Sequence, residues 1–398
     1  MAGIDRLLEL FECGQFVRPS ADELNFADVA AAIVSLAGGR APESNRAAEI
    51  RSLIGQNREH LVFVLVDGMG VSFLERLPAD GFLRSRLAAT YRTVFPPTTA
   101  AVLTTLSTCR WPAEHAVPLW WVYLEKFNLS AVSLRFIERF SEKPLEQWGV
   151  RSEDVFTVPS VWGSIKRDAA TVTLAGIAES VYTKYGSGGT RRIGYNGIGE
   201  AFEITRRRVE AAAEPSFTYL YLPQVDSLCH DVGTRHSDVT RILGVIDSRL
   251  AALHKVLGGK AGIVVTADHG LLDTPRENRI IIAEGDEILS HLAVPPTGEP
   301  TLPLFHVHEG HEDAFVRSFE TALGRHFALI TPDEAEDLGL FGPAPLSPIT
   351  RRRLGTFIGI AVEPAAVYYK PAGAQAKTHA AVHAGLTAEE MIVPLIIA

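Results

Sequence analysis

The sequence predicts an α/β fold built on a largely parallel central sheet, and three observations carry that expectation. Residues 61–66 (LVFVLV) and 262–266 (GIVVT) are apolar runs without polar alternation, and 216–222 reads as a third strand between them in the chain. A strand covered on both faces has no polar side to show, so such runs belong to the interior of a sheet flanked by helices. Each run stops at a polar cluster: Asp67-Gly68, Asp226 just after Pro223, and Asp268-His269-Gly270. Between the last two strands Val239, Ile242, Leu243, Ile246, Leu250, Leu253 and Leu257 mark one face of a long helix that Gly258-Gly259 ends. A strand, helix, strand succession pairs its strands in parallel through a right-handed crossover. The three aspartates are therefore expected at one sheet edge, the carboxyl edge where ligands bind in open α/β sheets.

Composition sets the outer bounds. With 398 residues, 46% of them hydrophobic, the chain can bury a large core. A formal net charge of -9 argues against a partner made of nucleic-acid polymer and against anionic membranes, since both reward basic surfaces. The first residues, MAGIDRLLELFECGQF, lack the basic-then-apolar order of a signal peptide, and no apolar run approaches a membrane span. Cys13, Cys109 and Cys229 are widely spaced and odd in number, which suits a reducing compartment, so a cytoplasmic protein is expected.

Four stretches organise the chain. Residues 1–58 read as a helical preamble packed on the core, with Phe26, Val29, Ile33 and Leu36 at helical spacing. Residues 59–275 form the α/β core, 276–353 an inserted subdomain rich in proline, and 354–398 a return to the core. Within the core, Pro96-Pro97 keeps the chain extended until Thr98 or Thr99 can start a helix, where free N–H groups and the dipole favour a phosphate. Trp111, Trp120, Trp121, Tyr123 and Phe127 form a dense aromatic group that serves as pocket lining or as core. A glycine-rich stretch near 185–189 lacks the lysine of a phosphate-binding loop and reads as a loop, with Arg191 and Arg192 after it. His306, His308 and His311 in HVHEGHE have ligand chemistry but no strand-end carboxylate beside them.

Asp67, Thr99, Asp226, His230, Asp268, His269 and His383 are the polar groups that end strands or follow them closely. Mixed oxygen and nitrogen donors of this kind suit zinc, with manganese or iron as alternatives, and they are too many for one tetrahedral ion. Two divalent ions against three carboxylates leave about one net positive charge, which attracts a phosphate and ionises a bound hydroxyl or water.

This set resembles the alkaline phosphatase superfamily, and within it the nucleotide pyrophosphatase/phosphodiesterase branch, in ordered patches from residue 64 to residue 394. The resemblance implies an α/β/α sandwich with an inserted subdomain. It also implies one metal held by Asp67, Thr99, Asp268 and His269, and another held by Asp226, His230 and His383. The family pattern FPTKTFPN lies without gaps on residues 95–102, which makes Thr99 the nucleophile and puts the pattern's asparagine on Val102. Cys109, Ala116 and Ala384 stand where glycine is usual. The implied reaction is in-line displacement at phosphorus through a covalent threonine ester, on a small phosphate ester with nucleotides among the candidates. Two alternatives stand beside it. HAGLTAEEMIVPL also resembles the carboxyl-terminal signature of cofactor-independent phosphoglycerate mutases, which points to a monoesterase or phosphomutase of the same superfamily. A non-catalytic binding protein stabilised by metal is the other. A sulfatase is disfavoured, because Cys109-Arg-Trp-Pro-Ala lacks C-x-P-x-R spacing.

Overall fold

In the computed structural model the apolar run after residue 60 is a strand with every residue buried, the middle of a seven-stranded sheet. The structure describes residues 2–55 and 58–398; residues 1, 56 and 57 of the preamble lie outside the described residues. In chain order the sheet's strands are β1 (His60–Val66), β2 (Leu87–Arg92), β3 (Asp168–Leu174), β4 (Arg191–Tyr195), β5 (Ser216–Leu222), β6 (Ala261–Thr266) and β7 (Ile392–Ile397). Their spatial order is β2-β7-β6-β1-β5-β3-β4. From β6 to β4 neighbouring strands run parallel, while β7 is antiparallel to both β6 and β2. Leu65 of β1 pairs with Tyr221 on one side and Thr266 on the other. That register brings the chain out of three adjacent strands at the same edge, just where Asp67, Asp226 and Asp268 follow.

Two groups of helices cover the sheet, as an α/β/α arrangement requires. The helix Phe26–Leu36 contacts Asn45–Ile54 and Thr99–Thr108, while Ile198–Ala211 contacts Ser237–Leu257. On Ser237–Leu257 the buried residues are Val239, Leu243, Ile246, Leu250, Leu253 and Leu257, and Ile242 of the expected stripe is half-buried. Among the described residues no helix is long and apolar enough to cross a membrane.

A second, antiparallel sheet runs in the order Phe327–Ile330, Phe357–Ala361, Leu302–Phe305, Thr297–Glu299, Trp121–Leu124, Leu129–Val132, Ile137–Glu138. It combines strands from the inserted stretch with strands from residues 121–138 and 357–361, and has its own core around Phe305, Phe315 and Phe319. The preamble divides between the sheets: Phe26–Leu36 lies in the main core, whereas Ala2–Glu12 packs on Phe327–Ile330, where Arg6 donates to the carbonyls of Gly324 and Arg325 at 2.9 Å each.

The three positions where glycine is usual keep a glycine's backbone. Cys109, Ala116 and Ala384 sit at φ 53°, 61° and 91°. A side chain at positive φ crowds its own carbonyl and costs about 1–2 kcal/mol, while glycine in the unfolded chain costs about 0.4–1 kcal/mol in entropy. Ala116→Gly is therefore expected to raise stability by roughly 0.5–1 kcal/mol. Ala100→Gly, inside the helix that follows Thr99, is expected to lower it by about 1 kcal/mol. Urea unfolding midpoints of the two variants check both signs.

Candidate active site

Asp67 leaves β1 into Gly68, whose φ is +75° and whose added Cβ would stand 2.6 Å from Leu271 Cδ1 and 2.9 Å from Asp226 Cβ. Only glycine makes this turn with Asp226 alongside. On the neighbouring strand a Cβ at Gly270 would meet the Glu389 carbonyl oxygen at 1.9 Å, so the backbone after Asp268-His269 is seated equally closely. Asp226 lies in the first turn of the helix Gln224–Val232 and His230 one turn later on the same face. His383 follows a short strand, Ala381–Val382.

Hydrogen bonds leave one free atom on each of these groups. Tyr221 donates its hydroxyl to Asp67 Oδ2, and the N–H groups of Gly68 and His269 donate to Asp268 Oδ1 at 3.0 Å each. Asp67 Oδ1, Asp268 Oδ2 and Asp226 Oδ1 remain buried without a hydrogen-bond partner among the described residues. Each histidine places Nδ1 against a backbone carbonyl: His230 on Ala381 at 2.8 Å, His269 on Gly270 at 3.1 Å, His383 on Pro97 at 3.0 Å. Nδ1 therefore carries the proton and Nε2 keeps a lone pair free to bind a metal. His269 Nε2 is 3.5 Å from Asp67 Oδ1, 3.4 Å from Asp268 Oδ2 and 3.3 Å from Thr99 Oγ1. His230 Nε2 and His383 Nε2 stand 3.4 Å and 3.9 Å from Asp226 Oδ1. Two ligand groups emerge, Asp67–Asp268–His269 and Asp226–His269–His383. All seven residues singled out in the sequence thus surround one spot. His269 stands between the two groups, its ring stacked 3.9 Å from that of His383.

The electrostatics of this spot are unbalanced. Burial, reinforced by the charges of Asp268 and Asp226, pushes the Asp67 carboxyl well above the usual range. Burial likewise pushes Asp226 up to about 7, with His269 opposing and Asp268 adding to the shift. Burial pushes His230 and His383 down, which keeps both imidazoles neutral as ligands must be. The cavity here, about 370 Å³, is lined by Asp67, Thr99, Asp226, His230, Glu299 and His383, with Trp120, Trp121 and His379 at its sides, and by no lysine or arginine. Three orphaned carboxylate oxygens facing three imidazole nitrogens, with no fixed cation among them, fit divalent metal with oxygen and nitrogen preference.

Thr99 opens the helix Thr99–Thr108, with Thr98 as its cap residue. Of the two threonines it is Thr99 that faces His269, because the Thr98 hydroxyl donates to Glu299 Oε1 at 2.7 Å. Val102 is fully buried in the main core and lines neither this cavity nor its neighbour. Glu299 is the residue that sequence reasoning missed. Its Oε1 also accepts from the Trp120 N–H at 3.2 Å, and burial pushes its carboxyl up to about 8. The only signal was a single carboxylate inside the otherwise uncharged run PPTGEPTLPLF.

Beside this cavity lies another of about 330 Å³, mostly apolar, running between the Thr99 helix and the sheet past Leu103, Leu106, Trp162, Tyr182 and Tyr219. Thr99, Trp120 and Tyr221 line both cavities. Trp120 and Trp121 thus line the site, whereas Trp111 and Phe127 belong to the core and Tyr123 packs on His306 at 4.9 Å. Arg192 pairs with Glu179 at 3.3 Å, and neither it nor Arg191 lines either cavity.

Solved structures share this architecture. Human ectonucleotide pyrophosphatase/phosphodiesterase 5 superposes with a TM-score of 0.63 at 15% identity, over 86% of this chain and 87% of that one. The mouse protein of the same name, in an inactive threonine-to-alanine form in complex with AMP, gives 0.61 at 17% over 84% and 87%. Phosphonoacetate hydrolase from Sinorhizobium meliloti 1021, in complex with phosphonoacetate, gives 0.61 at 15% over 85% and 90%. No protein of curated function matches the chain by sequence. The model of the family described as type I phosphodiesterase / nucleotide pyrophosphatase matches residues 61–383, a span that holds every one of the seven clustered residues. The chain belongs to that family of phosphodiesterase-type hydrolases.

Proposed function

We propose that the protein hydrolyses phosphodiesters or nucleotide pyrophosphates through a covalent ester on Thr99, with two divalent ions, zinc foremost, in the cluster around it. The observation that carries this reading is the set of orphaned oxygens on Asp67, Asp226 and Asp268, buried beside a helix-opening threonine. Asp67, Thr99, Asp268 and His269 would hold one ion, and Asp226, His230 and His383 the other. Bound there, the ions would neutralise the carboxylates, lower the pKa of a hydroxyl or water and offset charge on the phosphoryl oxygens.

The residues of the chain do the rest. Thr99 Oγ attacks phosphorus and the leaving alcohol or phosphate departs from the opposite side; water then cleaves the new P–O bond and restores the hydroxyl. The amino-terminal N–H groups of the Thr99–Thr108 helix favour an anion in front of it. Glu299, held protonated by burial, meets an anionic ligand with an O–H instead of a negative charge. The apolar cavity receives the organic group. A compact dianion of the phosphonoacetate kind would leave this cavity empty, so an ester with a sizeable aromatic or nucleoside part fits better. The AMP complex of the mouse neighbour supports the same choice.

Two outcomes test the reading. Zinc-loaded protein should cleave bis(p-nitrophenyl) phosphate and a nitrophenyl nucleotide ester in preference to p-nitrophenyl phosphate. Thr99→Ala should cut both activities by about 10³-fold or more while metal content stays high. Monoester preference would favour a phosphatase or mutase, and activity in Thr99→Ala would remove the covalent step.

The Glu299 carboxyl yields a pH dependence. Its folded value of about 8 lies above the ordinary carboxyl value, so between about 4.3 and 8 the folded chain keeps a proton that the unfolded chain has released. Stability of the metal-free protein should therefore fall as pH rises through this window and level off above it. Glu299→Gln should flatten the fall, leaving the part due to Asp67 and Asp226; urea midpoints of chelator-treated protein at pH 5, 6, 7 and 8 measure the slope.

A further inference from the structure

The histidines of the HVHEGHE run separate in the structure. His306 turns inward, with Nε2 3.4 Å from the Thr297 hydroxyl, and burial pushes its imidazole down to about 4. His308 and His311 stay at the surface, where they meet His291. The backbone fixes that meeting: the His308 N–H donates to the His291 carbonyl at 2.9 Å and the His311 N–H to the His308 carbonyl at 3.0 Å.

Two of the side chains stand at the spacing that two ligands of one ion take. His291 Nδ1 and His311 Nδ1 stand 3.4 Å apart. That is long for a hydrogen bond, but two nitrogens each about 2.0–2.1 Å from one tetrahedral zinc are separated by about 3.3–3.4 Å. On its far side the His291 ring is held by Ser318, whose hydroxyl lies 3.3 Å from Nε2. When Nε2 donates to the Ser318 hydroxyl the inner Nδ1 lone pair is free, and such a polar partner on the outer nitrogen is the usual support of a metal-bound imidazole. The His308 ring, exposed and centred 5.8 Å from that of His311, is the third imidazole of the group.

The position of this cluster gives it a task. Leu292 bridges Val307, and the Ala293 N–H donates to the His306 carbonyl at 2.8 Å, so His291 and His308 flank the base of a β-ribbon. The ribbon continues as Thr297–Glu299 paired with Leu302–Phe305. Its turn carries Glu299 and Pro300 into the catalytic cavity, and the Thr301 hydroxyl donates to the carbonyl of His383. We propose that His291, His308 and His311 form a separate site for a divalent transition ion of the zinc type, which clamps the base of the ribbon whose tip completes the catalytic cavity. Water fills the remaining coordination position.

Zinc content after desalting tests this, independently of the catalytic cluster. The full chain is compared with His291→Ala/His311→Ala, with His311→Ala alone, and with Asp226→Asn/Asp268→Asn. His311 is exposed and makes no side-chain cap bond, so its replacement leaves folding intact. Both histidine variants should retain about one zinc equivalent fewer than the full chain, while the aspartate variant loses only the catalytic ions. Added zinc should slow hydrogen exchange of the 292–307 ribbon in the full chain and the aspartate variant, but not in the histidine variants. Equal zinc content in the full chain and the histidine variants, or slowed exchange in all, would overturn the proposal. Failure of the two-ion catalytic reading would appear separately, as unchanged zinc in the aspartate variant.

Discussion

Three carboxylates at the ends of adjacent buried strands, with no lysine or arginine among them, are the constraint on which the rest of the structure depends. The register of β5, β1 and β6 forces Asp226, Asp67 and Asp268 together, and a strand fully buried on both faces cannot slip without moving all its apolar side chains. A lone buried charge costs several kcal/mol even after relaxation, which is comparable to the full burial of one or two large apolar side chains. Such a cluster is tolerated because the sheet around it is far larger than the cost, and any cation that bound only the folded chain would add stability. The tautomers of His230, His269 and His383 follow from the same need, since each backbone carbonyl that takes an Nδ1 proton turns an Nε2 lone pair toward the carboxylates.

The second sheet contributes what the first cannot. A parallel sheet presents its strand ends from one side only, so the far wall of the cavity must come from another element. That element is the turn between Thr297–Glu299 and Leu302–Phe305, whose Glu299 ties the cap threonine of the Thr99–Thr108 helix to the aromatic segment through Oε1. Thr98 and Thr99 consequently have different tasks although they are neighbours of the same type: one hydroxyl is spent on Glu299, the other faces His269.

How far the sequence carried depends on whether the information was local. The strand-end aspartates were legible because apolar runs and their interruption are neighbouring events in the chain, and the pairing of Asp226 with His230 because one helical turn separates them. The seven-residue cluster was legible as a set for that reason. Glu299 was not, since nothing near it in the chain indicates burial beside Thr98, more than two hundred residues away by hydrogen bond. The antiparallel sheet was hidden for the same cause. Its strand Thr297–Glu299 pairs with Trp121–Leu124, a contact between stretches that look like loop and core when each is read alone. The histidine run parted in a way its spacing did not show: His306 is buried beside Thr297, whereas His308 and His311 stay exposed and His291, from earlier in the chain, stands 3.4 Å from His311.

The departures from the usual glycines illustrate how little residue type alone says about substrate. Cys109, Ala116 and Ala384 all hold positive φ, so the backbone they occupy is the one a glycine would occupy, at a cost in strain. Ala384 follows His383 directly, and the imidazole is still held by the Pro97 carbonyl. At Ala384 the positive φ leaves the neighbouring imidazole held in place. Val102 is equally uninformative, because its side chain lies in the core. More informative is the space that opens from Thr99: a polar cavity lined by carboxylates and imidazoles, joined at Trp120 and Tyr221 to an apolar one. On the reading proposed above, selectivity between a monoester and a diester would turn on whether that second cavity is filled in the transition state, since only binding gained there raises the rate of the chemical step.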